Sequence, residues 1–292
     1  MKMKRFYTCT LPSRTFLFIA FLWAIQPAEI HAADYYWVGG TGVWNDLNHW
    51  ATTSGGAVKH TIVPSALDNV IFDANSFTAS GQSVTLNQEA FCKDFKWDNV
   101  TNNPTFTGAG FNLNVAGNYI ALGTPFIFNH VNGNLAISGY FLVDGSNMSF
   151  TKNGGTFTVG TTFDIKNVAT MTYTSNATVS LTNGNMTFTD ATLSSFSSGG
   201  ISIATGNLLF SNSKTTGAFS GGTVNLSNGF IDIPNWSGGN FSFGTVTVSG
   251  NFTMSGWTGA GNFSSGNITS STGSFTVSNW AAGTMTTGYI NL

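Results

Sequence analysis

Val246-Thr247-Val248-Ser249-Gly250-Asn251-Phe252-Thr253-Met254 is the stretch whose reading decides the fold. Apolar and polar residues alternate on both sides of one glycine. A period of two means a strand with one buried face. A glycine between two such runs permits positive φ and marks a turn. The same unit recurs upstream. Val179 and Leu181 precede Gly184, with Met186 and Phe188 after it, and Ile201 and Ile203 precede Gly206, with Leu208 and Phe210 after it.

Working outward, an aromatic residue accompanies each unit, at Phe106, Phe128, Phe150, Tyr173, Phe196, Phe219, Phe241 and Phe263, with Met285 in the next place. The steps are 22 or 23 residues, and Gly117, Gly139, Gly160, Gly184, Gly206, Gly229, Gly250 and Gly273 each follow their aromatic by 9 to 11 residues. Two markers sharing one period define a repeat architecture. Each coil reads as two short strands around the glycine and a third around the aromatic. The fold expected is all-β, a right-handed parallel β-helix (a β-solenoid) with coils of about 22 residues. A leucine-rich repeat is excluded by the missing L-x-x-L-x-L pattern, and a β-sandwich does not account for so constant a period. Val84 falls one period before Phe106, so the coils are expected to begin there. Residues 106–292 are read as the repeats. Met285 to Leu292 matches the opening of another coil, and the stack is expected to continue past it.

Residues 1–32 read as a signal peptide. Lys2, Lys4, Arg5 and Arg14 are basic, Thr15 to Ile25 is apolar but too short to span a bilayer, and Ile30-His31-Ala32 offers a small-residue cleavage site. The location expected is the extracellular space or the outer cell surface, with no integral membrane segment in the mature chain. Beyond Ala32 the chain holds six Lys, no Arg and eleven acids. So acidic a balance excludes nucleic acid as a partner. Charged residues are 8% of the whole and aromatics 14%. Cys92 is the one cysteine after residue 32, which leaves no disulfide framework.

Residues 33–105 differ from the rest and read as an N-terminal cap with the first rungs. Trp37, Trp44, Trp50 and Trp97 lie here, with seven of the eleven acids. Tyr36-Trp37-Val38-Gly39-Gly40-Thr41-Gly42-Val43-Trp44-Asn45-Asp46, His49-Trp50, Ser54-Gly55-Gly56, Pro64, Asp68-Asn69 and Phe72 to Phe77 form a motif. It resembles the opening module of large secreted repeat proteins of gliding, type IX-secreting bacteria. More loosely, it is similar to the first coil of autotransporter passenger domains. The resemblance implies a surface-exposed or released solenoid, often adhesin-like.

Enzyme activity is not expected. A hydrolase needs paired carboxylates, and a lyase needs a base beside groups that neutralise a uronate. Asp144, Asp164, Asp190 and Asp232 sit at differing offsets and form no convincing pair. No cofactor and no metal is expected. Asp46, Asp68, Asp73, Asp94 and Asp98 of the cap read as turn residues rather than calcium ligands. Trp236, Trp257 and Trp280 follow their coil aromatics by 17, 16 and 17 residues and should stack in adjacent rungs. Facing outward they would form an aromatic strip suited to sugar rings, and facing inward they would close a corner of the core. They are the candidate binding residues, with surface glycans or other cell-surface components as candidate partners. Thr156-Phe157-Thr158 and Thr187-Phe188-Thr189 resemble the pairs of ice-binding solenoids, but such pairs drift between offsets 6 and 14, so no regular hydroxyl array is expected. The function expected is a structural or adhesive surface solenoid. The alternative is a carbohydrate-active β-helix whose catalytic residues lie beyond residue 292.

Overall fold

The computed structural model describes residues 32–292, apart from 124, 146, 259–260 and 281–283. The signal-peptide reading, save for Ala32, lies outside the described residues. Among the described residues the only helical element is a short 3-10 turn, Leu47–His49.

Three parallel sheets wind around one core. Sheet I carries the coil aromatics, in strands running from Ser83–Thr85 and Thr105–Thr107 up to Met285–Thr286. Sheet II, from Ala90–Cys92 to Ile290–Asn291, holds the residues before each coil glycine. Sheet III, with Phe95–Asp98 and its successors to Phe275–Ser278, holds those after it. The chain passes from I to II to III and returns to I one level up. Sheet II is ten-stranded, so the chain makes ten turns of a parallel β-solenoid.

The register explains the period. Each aromatic pairs with the one a coil away, as in Phe106 with Phe128, Phe128 with Phe150, and Phe150 with Tyr173. Their rings stack with centroids 5.0, 4.9 and 5.1 Å apart, closing to 4.4 Å between Tyr173 and Phe196. On sheet III, Phe95, Tyr119, Phe141 and Phe163 form a second ladder, with Phe141 and Phe163 at 4.5 Å. The two ladders meet edge to face, for example Phe141 against Phe150. Such pairs add about 0.5–1.5 kcal/mol each beyond the burial of the rings.

The corner after sheet III has its own signature. Asn99, Gly123, Gly145, Asn167, Asp190, Asn212, Asn235, Gly256 and Asn279 all hold positive φ. Every one is Gly, Asn or Asp, the residues that enter the left-handed region at least cost. Their backbone N–H groups mostly donate to the next coil, as Asn167 does to the Thr189 carbonyl at 3.0 Å.

The cap closes the lower end differently. Asp34–Trp37 extends sheet III in parallel with Asn69–Asp73, and Trp50–Ala51 adds the antiparallel edge, with Trp37 opposite Trp50. Trp37, Trp44 and Trp50 are fully buried. The Trp50 indole donates to the Trp44 carbonyl at 2.7 Å and that of Trp37 to the Gly40 carbonyl at 2.7 Å. His49 stacks on Trp37 at 4.6 Å and accepts no bulk beside it: a Cβ at Gly42 would lie 2.3 Å from its Nε2.

Candidate functional site

The three candidate tryptophans occupy adjacent rungs and face the core, with Trp236 tilted against Trp257 at 6.1 Å. Trp236 and Trp257 are 1% and 0% exposed, and Trp280, partly buried, stacks on Trp257 at 4.5 Å. Of the two orientations the sequence leaves open, the inward one, closing a corner of the core, is the one found for Trp236 and Trp257, and the outward strip is not formed. The cause lies in the corner between sheets III and I. In early coils the corner is filled by Phe126, Met148 and Met171, each two residues before its coil aromatic. In the coils of Phe241 and Phe263 that position is Gly239 or Gly261, and an indole takes the space. Trp236 Nε1 donates to the Gly239 carbonyl at 3.3 Å and Trp257 Nε1 to the Gly261 carbonyl at 3.2 Å. With these donors satisfied inside, Trp236 and Trp257 present no free indole N–H to the outer face.

The carboxylates do not converge on a cleft. Asp144 pairs with Lys166 at 3.3 Å and accepts from Asn167 at 2.8 Å. Asp190 accepts from Asn212 at 2.6 Å in the left-handed corner. Burial raises the carboxyls of Asp164 and Asp232 above the usual range, and Thr187 and Thr162 hydroxyls partly offset this at Asp164. In the cap, Asp68 accepts from the Ala33 and Ser65 N–H groups, both at 2.9 Å, and from the Ser65 hydroxyl at 2.6 Å. Asp46 accepts from Asn48, and Asp73 from Asn75. These acids tie down turns, and among the described residues no three His, Cys, Asp or Glu side chains group to hold a metal. Burial, with the Asp94 charge nearby, pushes the Cys92 thiol well up and disfavours its thiolate.

A buried polar column runs inside sheet I, two residues after each aromatic, and nothing in the sequence reading singled it out. Gly108, His130, Lys152, Ser175 and Ser198 occupy it, and His130 and Lys152 are adjacent in register, both 0% exposed. Lys152 Nζ donates to the Gly154 carbonyl, and the serines donate likewise to the carbonyl two residues on, Ser175 to Ala177 at 3.1 Å and Ser198 to Gly200 at 2.7 Å. Neither ring nitrogen of His130 has a hydrogen bond of good geometry. Burial, with the Lys152 charge beside it, lowers the imidazole to about 4. A signal was present, since both residues sit at one offset from a coil aromatic, but period-two alternation alone does not make an ionisable residue face inward.

Outer faces divide by charge. Sheet III presents Lys96, Asp144, Asp164, Lys166 and Asp232. Sheet II shows a column of short side chains, such as Thr158 and Ser180 in register, and a second beside it in its longer strands, Thr178, Gly200 and Thr223. A shallow depression there, over Ile137, Ser138, Val159, Gly160 and Thr182, has no titratable group on its lining. Sheet I shows two columns, at the positions flanking each coil marker from Val84 to Met285. Of those twenty positions eight are Thr, seven are Ser and three Asn, with Ile127 and Ala218 the exceptions. Thr105–Thr107, Ser149–Thr151, Thr172–Thr174 and Ser195–Ser197 are examples, and the columns stay in register from rung to rung. Thr flanks the marker on both sides in three of the ten rungs, Thr105/Thr107, Thr172/Thr174 and Thr284/Thr286, so the columns are a mixed Ser, Thr and Asn pattern rather than a Thr-x-Thr pair in every coil. The pairs scored at drifting offsets, Thr156 with Thr158 and Thr187 with Thr189, belong to sheets II and III.

Comparison with family models, with curated proteins and with solved structures returns no match. Fold and surface define the class: this chain is a parallel β-solenoid. Among the described residues no helix is long and apolar enough to cross a membrane, which does not bear on spanning by strands.

Proposed function

We propose that this chain is exported and serves at or beyond the cell surface as a stiff structural or adhesive element. The observation that supports this most is the stack itself: ten turns in which buried ladders hold most of the aromatics, with Asp144 in an ion pair and Asp190 at a turn. A solenoid of this kind presents long lateral faces and sets a distance on the order of 45 Å at about 4.8 Å per rung. The N-terminal motif and the basic-apolar leader supply the surface location. Partners then meet the lateral faces rather than a cleft, and no indole strip takes part.

The test is direct. A C-terminally tagged chain is followed in its host by fractionation and by protease treatment of intact cells. Recovery in the medium, or loss of the tag to external protease with a leader shortened near Ala32, is the result expected. A full-length chain shielded inside the cell overturns the proposal.

A further inference from the structure

We propose that the outer face of sheet I binds an ordered water lattice, that is, the surface of ice. This does not rest on the spacer role above, since a cell-surface location is not needed for it.

Two independent features carry the inference. The first is geometric. Hydroxyls at i and i+2 on one strand lie about 6.6 Å apart, and equivalent hydroxyls on neighbouring strands about 4.8 Å apart. The register holds from Ser83–Thr85 upward, so these spacings repeat in two dimensions wherever both flanks carry hydroxyls, most continuously over the three rungs Ser149/Thr151, Thr172/Thr174 and Ser195/Ser197. The oxygen lattice of ice offers a repeat slightly shorter along the first axis of the stack and slightly longer along the strand. Short side chains on a sheet stay close to the backbone and lose little rotamer freedom on contact.

The second is chemical. No charged side chain stands at any of the twenty positions, and Lys214, exposed on a short strand of the same sheet beside Thr192, lies outside the two columns. Lys152, on a strand of this sheet, falls on the inward column by alternation and adds no charge to the outer face. A charge on this face would hold its own hydration shell against the lattice. Sheet III fails the same requirement through Asp144, Asp164 and Lys166, and the second column of sheet II is broken by Gly200 between Thr178 and Thr223. A soluble sugar chain is disfavoured for a different reason. It calls for aromatic platforms and long donors, and the rings near sheet I are core.

The experiment grows ice slowly from a solution of the purified chain and measures the protein taken into the ice against that left in the liquid. Thr151→Lys/Thr174→Lys alters the array, and Thr158→Lys/Ser180→Lys alters sheet II as a control, with far-UV circular dichroism checking the fold of each. Wild type and the sheet II variant are expected in the ice, and the sheet I variant is expected to lose about tenfold or more of that partition. Exclusion of folded wild type from the ice overturns the proposal, and that arm needs no variant. Equal loss in both double variants, or partition onto crystalline cellulose or chitin with none into ice, overturns it as well.

Discussion

Tryptophans do opposite work at the two ends of the molecule. In the cap, Trp37, Trp44 and Trp50 meet edge to face, with Trp37 and Trp50 at 4.9 Å and Trp44 and Trp50 at 5.0 Å, and no two are related by the coil period. In the late coils Trp257 and Trp280 lie parallel at 4.5 Å, one period apart. The cap is one specific arrangement, built from an antiparallel strand, glycines pressed against His49 and Gln82, and carboxylates that each fasten one turn. The coils are a rule applied repeatedly, where each residue is held by its own counterpart above and below. A defect in the cap therefore has no neighbour of the same kind to share it, whereas a defect in a coil stays within adjacent rungs.

The largest effect should come from breaking the cap. Trp50→Ala removes a fully buried indole with its hydrogen bond and is expected to destabilise by about 3–5 kcal/mol, read from the denaturant midpoint. A loss below that of a surface substitution would mean the cap is loosely packed. Next is the buried His130. Its ordinary value of 6.5 lies above the buried value of about 4, so the unfolded chain takes the proton first. Stability should be unaffected above pH 6.5, fall as pH drops below it, and reach its full penalty of about 3 kcal/mol below pH 4. His130→Gln should remove that component from the pH profile of unfolding, and identical profiles would show that the imidazole is solvated.

A third change tests how locally the coils respond. Gly108→Ala puts a Cβ 2.4 Å from the His130 ring and should cost about 1–3 kcal/mol. His130→Ser in the same chain should recover most of it, and no recovery would place the strain in the backbone. The smallest effect lies at the left-handed corner. Asn167→Ala should cost about 1 kcal/mol, while Asn167→Gly stays within a few tenths, both by thermal unfolding.

The same division governs what could be read from the residues. The coils were legible because aromatic and glycine markers repeat at one period, and a period of 22 constrains every strand at once. The fate of Trp236 was not legible, because the corner runs five to seven residues between the left-handed residue and the next aromatic, and only the exchange of Met148 for Gly239 decides who fills it. The hydroxyl columns were hidden for a related reason. Their members flank the buried ring itself, so Thr-Tyr-Thr at 172–174 and Ser-Phe-Ser at 195–197 read first as core strands. The antiparallel strand at Trp50 follows no repeat and left no periodic trace.

The hydrogen bonds between rungs run along the long axis, and this has a mechanical consequence. Tension applied to the two ends loads those bonds one rung at a time, so the stack unzips rather than shears. Each rung contributes about 4.8 Å of height while folded, yet frees a loop of 22 residues that extends to about 75 Å. A tethered chain of this design is a sacrificial length reserve: under a pull that would snap a rigid rod it lengthens some fifteenfold per released coil (on the order of the ratio of those two distances), and the remaining coils keep their register.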